Sequence, residues 1–260
     1  SLTLTSGVSA TNRDLTVQAI DASATLTTST IATGSGGLLM SPADKSLGTL
    51  ELTGTNTFTG NTTVTAGTLS LTGTASLGSG SYAGTISNNG ALVYSSSTDQ
   101  ILSGVLSGTG TLTKNTSSTS TLTLSANNTY SGATTVTTGV LAISHANALG
   151  TTAGTTTVAS NATLEVSGGI SSAEPLTVSG DGVTVSAAEV GAIRSTSGTN
   201  TLTGLVTLAA AAEVQADAGT LTFDVSSGSS FSGAYALTFD SNTGAIVVAD
   251  PIATSTGTVT

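Results

Sequence analysis

Gly48-Thr49-Leu50-Glu51-Leu52-Thr53-Gly54-Thr55-Asn56-Thr57-Phe58-Thr59-Gly60-Asn61-Thr62-Thr63-Val64-Thr65-Ala66-Gly67-Thr68-Leu69-Ser70-Leu71 returns 72 residues later. The second copy reads Ser120-Thr121-Leu122-Thr123-Leu124-Ser125-Ala126-Asn127-Asn128-Thr129-Tyr130-Ser131-Gly132-Ala133-Thr134-Thr135-Val136-Thr137-Thr138-Gly139-Val140-Leu141-Ala142-Ile143. The match continues without a gap to Leu77-Gly78 and Leu149-Gly150, so the clear repeats cover 48–78 and 120–150. A further 72 residues on, Gly198 to Gly204 echoes Gly54 to Gly60, and about eight extra residues then precede Gly219-Thr220-Leu221. Periodicity of this kind marks a solenoid or a tandem array.

Within each copy the apolar residues alternate. Leu50-Glu51-Leu52, Leu69-Ser70-Leu71, Leu122-Thr123-Leu124 and Leu141-Ala142-Ile143 each put aliphatic side chains on one face. That is the period of a half-buried strand. Gly, Asn, Ser and Thr flank them, the residues that turn a chain. A 72-residue unit suits three turns of about 24 residues, stacked through parallel ladders roughly 4.8 Å apart. About eleven such turns make a rod of roughly 50 Å. A string of sandwich domains is the competing architecture, but it wants heavier core residues and units of roughly 100 residues.

Composition points the same way. The 260 residues are 37% hydrophobic, 7% charged and 3% aromatic, with no cysteine and no tryptophan. Ordinary domains carry about 25% charged residues. Long amphipathic helices cannot be built from this chain, which excludes a helical bundle and a doubly wound α/β enzyme. With so few aromatics, thin layers of Leu, Val and Ile suit the core better than a thick sandwich. Four basic residues against fourteen acidic ones, a net charge of −10, exclude a phosphate-tracking nucleic-acid binder and a polybasic membrane-surface protein. Disulfide scaffolds and cysteine zinc sites are excluded too. No apolar run approaches the roughly 18–20 residues of a spanning helix, so membrane insertion is not expected. Ser1-Leu2-Thr3-Leu4 already reads as a strand, and we expect the chain to be a mature or excised piece of something longer.

The pattern G-T-L-x-L-T-G-x-N-T-[FY]-[ST]-G-x-T-T-V-x-x-G-x-L resembles the autotransporter-associated β-strand repeat of bacterial autotransporter passengers. Gly48 to Leu71 fits it closely, and Ser120 to Ile143 departs only by Ser120 in place of the opening Gly. The resemblance implies an all-β, right-handed parallel β-helix, here expected as a single β-solenoid over 1–260 with degenerate, acidic repeats over 165–260. It also implies secretion across the outer membrane of a Gram-negative-type bacterium and display at or beyond the cell surface. Against the full family plan, no C-terminal translocator barrel is expected within these 260 residues.

Asn56 and Asn128 are expected at turns, where the side chain bonds local backbone, tolerates positive φ, or ladders between coils. Phe58 and Tyr130 are expected to close a corner of the core. Gly60, Gly132, Gly67 and Gly139 are expected to supply turn conformations closed to other residues.

Chemistry is sparse. His145, the single histidine, has no acid near it in sequence and no G-x-S-x-G elbow accompanies it. Residues 1–164 carry a net −2 and residues 165–260 a net −8. Glu189 with Glu213 and Asp217 with Asp240 have spacings that could meet across turns, as a glycosidase pair would. Asp240-Ser241-Asn242-Thr243-Gly244 begins like a calcium loop, but position twelve is Pro251 rather than Glu, so Asp240 and Asn242 are weak metal candidates. The Asn-x-Ser/Thr sequences at Asn61, Asn115, Asn127 and Asn161 are expected of this composition. No cofactor is implied.

Three functions are in view. The first is a non-enzymatic extracellular stalk, adhesin or self-stacking filament subunit, whose coils either continue into further sequence or stack head-to-tail because no amphipathic capping helix is visible. The second is a binding module whose acidic C-terminal third contacts cations, glycans or a host receptor. The third is a carbohydrate-active enzyme.

Overall fold

Leu50 and Leu52 are buried while Thr49 and Glu51 are half-buried, so the strand Thr49–Leu52 turns one face to a core and the other to solvent. In the computed structural model, which describes residues 2–4, 7–18, 24–41, 48–116, 120–185, 188–253 and 257–260, this strand is one rung of a long parallel ladder. The side chains of Leu2–Leu4, Ala188 and Glu189, and all of Asp21 and Asp44, lie outside the described residues. The rungs follow in register as Leu26, Leu50, Leu69, Leu92, Leu112, Thr134, Thr156, Leu176, Val206, Phe231 and Ile252. With the pairing of Leu2 to Leu26 before them these are eleven steps, which at about 4.8 Å make a stack of about 53 Å. The protein is a parallel β-solenoid of about ten turns, close to the eleven expected from a coil of about 24 residues. Among the described residues, the only antiparallel pair is Thr184–Val185 with Ala188–Glu189.

Each coil visits three faces. The first carries the ladder just given. The second carries the column Gln100, Leu122, Leu141, Leu164, Ile193 and Val214. The third carries Leu15–Val17, Leu38–Met40, Thr62–Val64, Ile86–Asn88 and Leu106–Ser107, and farther along Ser171–Ser172, Thr199–Leu202, Thr220–Phe223 and Ala245–Val248. First and second faces fuse into one 17-stranded sheet because Thr134–Ile143, Thr156–Val166 and Val206–Ala216 run through the corner as single strands. A register shift between Val136 and Thr138 bends the strand there, as a bulge does. The aliphatic columns of all three faces meet in one buried cluster from Val17 to Leu237.

Coil length varies, and this places the two repeats on different faces. The step from Leu50 to Leu69 takes 19 residues, and that from Leu176 to Val206 takes 30. The longer step contains the antiparallel hairpin, rooted on a small cluster of Val140, Val183 and Val190. Seventy-two residues therefore span three turns and one further face. Leu50 sits on the first face and its equivalent Leu122 on the second; Thr62 sits on the third and its equivalent Thr134 on the first.

The repeat glycines act through two different causes. Gly67 has φ 79° and Gly139 φ 84°, a backbone state that favours glycine. Gly60 and Gly132 have no positive φ, which corrects the expectation of a special turn conformation there. At Gly132 the cause is close approach: a Cβ would lie 2.0 Å from the Gly110 carbonyl oxygen of the adjacent coil. At Gly60 it would lie 2.5 Å from the Ser35 oxygen.

Candidate functional site

The polar groups with the most defined geometry are buried at the corners. Asn56 is fully buried; its Oδ1 accepts from the Ile31 amide at 2.7 Å, and its Nδ2 donates to the carbonyls of Gly54 at 2.8 Å and Ser76 at 3.0 Å. Asn128, 72 residues on, accepts from the Leu106 amide at 2.8 Å and donates to the Ala148 carbonyl at 2.6 Å. Asn200 repeats the pattern: Oδ1 accepts from the amides of Gly169 and Ile170, at 2.9 and 3.1 Å. Its Nδ2 donates to Ser195 Oγ at 3.0 Å and the Ser197 carbonyl at 2.8 Å. Where the strand ladder breaks to turn a corner, the amide side chain takes the place of the missing rung. Asn56 and Asn128 have neither positive φ nor each other as partner, because the repeats occupy different faces. Asn200 went unread in the sequence, although it stands at the same 72-residue interval.

Phe58 and Tyr130 are both buried. The Phe58 ring meets Tyr82 edge-on, with centroids 5.5 Å apart at 75°. Tyr130 carries a hydroxyl where Phe58 has none, and that hydroxyl lies 2.7 Å from Thr134 Oγ1. In the first repeat Tyr82 performs this task for the equivalent Thr62, at 2.8 Å. Burial pushes the Tyr130 hydroxyl well above the ordinary phenol range, and the Glu174 charge adds to that.

Two buried ionisable groups are new. Glu174 is 5% exposed; Oε1 accepts from Thr156 Oγ1 at 2.9 Å, while Oε2 is buried without a partner. Burial pushes its carboxyl up to about 7 from an ordinary 4.5. Lys114 is fully buried in the column between Tyr94 and Val136, donating to the Thr116 carbonyl at 2.5 Å, Ser120 Oγ at 3.0 Å and the Thr138 carbonyl at 3.3 Å. Burial pushes its ammonium down to about 8, against the opposing pull of Asp99. The alternation held the signal for Lys114: two residues after inward Leu112, it must point inward. Glu174 and Lys114 lie coils apart in the stack and form no common cleft.

Glu174 makes stability depend on pH. Between about pH 4.5 and 7 the folded chain holds a proton that the unfolded chain has released, so stability falls as pH rises through that window. Glu174→Gln removes the dependence: it should match the parent near pH 4 and exceed it by ~2–3 kcal/mol near pH 8. Urea midpoints of both proteins at the two pH values check this, and a pH-independent difference would contradict it.

The acids nominated from spacing are engaged differently. On the outward second face Glu165, Arg194, Gln215 and Asp240 stack in successive coils. Arg194 meets Asp217 Oδ2 at 2.5 Å and Glu165 Oε2 at 3.4 Å. Gln215 and Asn242 donate to Asp217 Oδ1 at 2.6 and 2.9 Å. Partial burial works against the Asp217 charge, but these hydrogen bonds and Arg194 outweigh it and hold the carboxyl below the ordinary range. Asp240 stands opposite Gln215, not Asp217. Glu213 lies on the same strand, and the Glu189 side chain is outside the described residues.

Asp240 lies in the strand Leu237–Ser241 rather than in a coiled loop, and Asn242 turns its amide nitrogen to Asp217. Among the described residues no group of three His, Asp or Glu could hold a metal ion, and no helix is long and apolar enough to cross a membrane. His145 Nδ1 accepts from the Asn147 amide at 3.1 Å, a local turn contact.

A family model described as the passenger-associated-transport-repeat matches residues 46–71 and 117–143. No curated protein and no solved structure matches the chain. The two matched segments overlap the two clear repeats, and each closes one full coil from a face back to the same face. Two segments similar to the passenger-associated-transport-repeat are thus set into a parallel β-solenoid, and in this the chain is similar to the repeat proteins of autotransporter passengers.

Proposed function

We propose that the chain is a non-enzymatic structural segment of a secreted or surface-displayed passenger of a Gram-negative-type bacterium, serving as a stiff stalk. The observation that carries this reading is that the polar groups with shifted titration are bound into the scaffold. Glu174 and Lys114 are sealed in the core, and both oxygens of Asp217 take protein hydrogen bonds. A glycoside hydrolase needs paired carboxyls facing an open subsite. Two measurements test the reading on the whole protein. Protease added to intact cells should cleave it, and a polysaccharide panel should yield no reducing ends. Protection of the chain inside intact cells would contradict the surface assignment. Release of reducing ends that disappears in Glu165→Gln or Asp240→Asn would contradict the non-enzymatic one.

A second reading is supported by the exposure of Asp224 and Asp240 in the acidic C-terminal third. There, the chain contacts a cationic or glycan partner, and Asp224→Asn with Asp240→Asn should abolish adhesion with the fold intact. Undiminished adhesion by that variant favours the stalk.

A further inference from the structure

The outward side of the first face differs from that of the second. Thr113, Thr135, Thr157, Thr177 and Thr207 follow one another in register through consecutive coils, and Ser232 continues the column. No register shift falls within this column; the shifts come one or more residues later, at the corner. Composition alone does not produce such a column. Over comparable coils the second face presents Thr123, Ala142, Glu165, Arg194, Gln215 and Asp240 in the equivalent outward positions.

Two independent observations say what the column meets. Among the described residues none partners the hydroxyls of Thr113, Thr135, Thr157 or Thr177, and Thr207 accepts only from the next member of the column, Ser232, at 3.4 Å, whereas threonines elsewhere, such as Thr27, Thr72 and Thr203, bond to carboxylates or carbonyls. Over these coils the face is also free of exposed charge. The strands Thr111–Asn115, Thr156–Val158 of the long strand, Leu176–Gly180 and Val206–Leu208 carry one charged side chain, Lys114, and it is buried. In a chain of net charge −10, the nearest acid in this column is Glu51, three coils before Thr113.

We propose that this face binds the surface of ice. Its rungs repeat at about 4.8 Å, close to the oxygen repeat along the a axis of hexagonal ice. Each rung offers a methyl group and a hydroxyl, so water over the column is held by hydrogen bonds at one atom and caged around the next. The backbone ladder fixes the array beforehand, and little ordering entropy remains to be lost on contact. A neutral lattice is matched by a neutral face. Thr111, Ala133 and Thr155 flank the column with small exposed side chains two residues away along the strand, roughly 7 Å to the side.

The test uses the full chain. The protein should refine grain size in recrystallising ice and shape single crystals, and Thr135→Tyr and Thr157→Tyr, which raise a ring above the plane, should lose both effects. Thr123→Tyr on the second face should keep them. Far-UV circular dichroism and thermal melting identify any variant that fails to fold, and the parent protein decides the matter even then. Ice growth indistinguishable from that in an inert protein of equal mass overturns the proposal. So does retained activity in Thr157→Tyr. A concentration-dependent dimer that Thr157→Tyr abolishes, without effect on ice, assigns the face to a second copy of the chain and overturns it as well.

Discussion

Asn200→Ala should destabilise the solenoid by about 4 kcal/mol, a large effect for a residue that touches no ligand. The substitution leaves the amides of Gly169 and Ile170 without their acceptor, and Ser195 Oγ and the Ser197 carbonyl without their donor. Asn200 is fully buried, so water cannot replace these partners without opening the corner. Coils interact only with their neighbours, and the loss should therefore be local. Hydrogen exchange should show the amides of Gly169 and Ile170 losing protection while those of the coil around Leu69 keep theirs. Asn200→Asp should fare no better, because it retains the acceptor but buries a charge. An unfolding midpoint unchanged in Asn200→Ala would contradict the corner account.

Gly132→Ala should be at least as damaging as a cavity in the core, about 3 kcal/mol or more. The added carbon would lie 2.0 Å from the Gly110 oxygen and 2.5 Å from the Gly110 carbon. Both belong to the backbone of the adjacent coil, which cannot rotate away as a side chain would. The coils must separate, and the rungs beside them, from Ser131 to Gly108 and from Leu112 to Ala133, lengthen with them. Gly228 supplies the comparison: it has φ 97° but nothing within 4 Å of the missing carbon. Gly228→Ala meets only backbone strain, about 1–2 kcal/mol. Chemical denaturation of the two variants separates steric contact between coils from conformational strain, and equal losses would argue against the close-approach explanation.

Much of this architecture was legible in the residues. Alternation in Leu50-Glu51-Leu52 and Leu122-Thr123-Leu124 reported inward and outward positions, and the 72-residue interval reported stacking. The face on which each copy lies was not legible. It depends on the summed lengths of corners, which run from a 19-residue coil to a 30-residue one. Sequence identity therefore suggested that Asn128 could stack on Asn56, whereas the extra third of a turn carries it to the next face. The role of Gly60 and Gly132 was misassigned for a related reason. A requirement for glycine is visible in sequence, but whether its cause is φ or a neighbouring backbone depends on residues 22 to 25 positions away. The acidic pairs failed similarly: Asp217 and Asp240 have the right separation, yet Arg194 from the preceding coil claims Asp217. Lys114 and Glu174 sit at inward positions that alternation could have exposed, and their burial runs against the usual distribution of charged residues.

The native chain has no cysteine, so coil stacking can be measured directly by placing pairs of them. Thr135→Cys with Thr157→Cys sets two thiols on adjacent rungs, within the Cα separation that a disulfide tolerates. Thr113→Cys with Thr157→Cys sets them two rungs apart, at about 9.6 Å, beyond that reach. Mild oxidation should link the first pair within one chain and leave the second pair free. A second pair that links as readily as the first, or a first pair that does not link at all, would contradict the parallel, in-register stack.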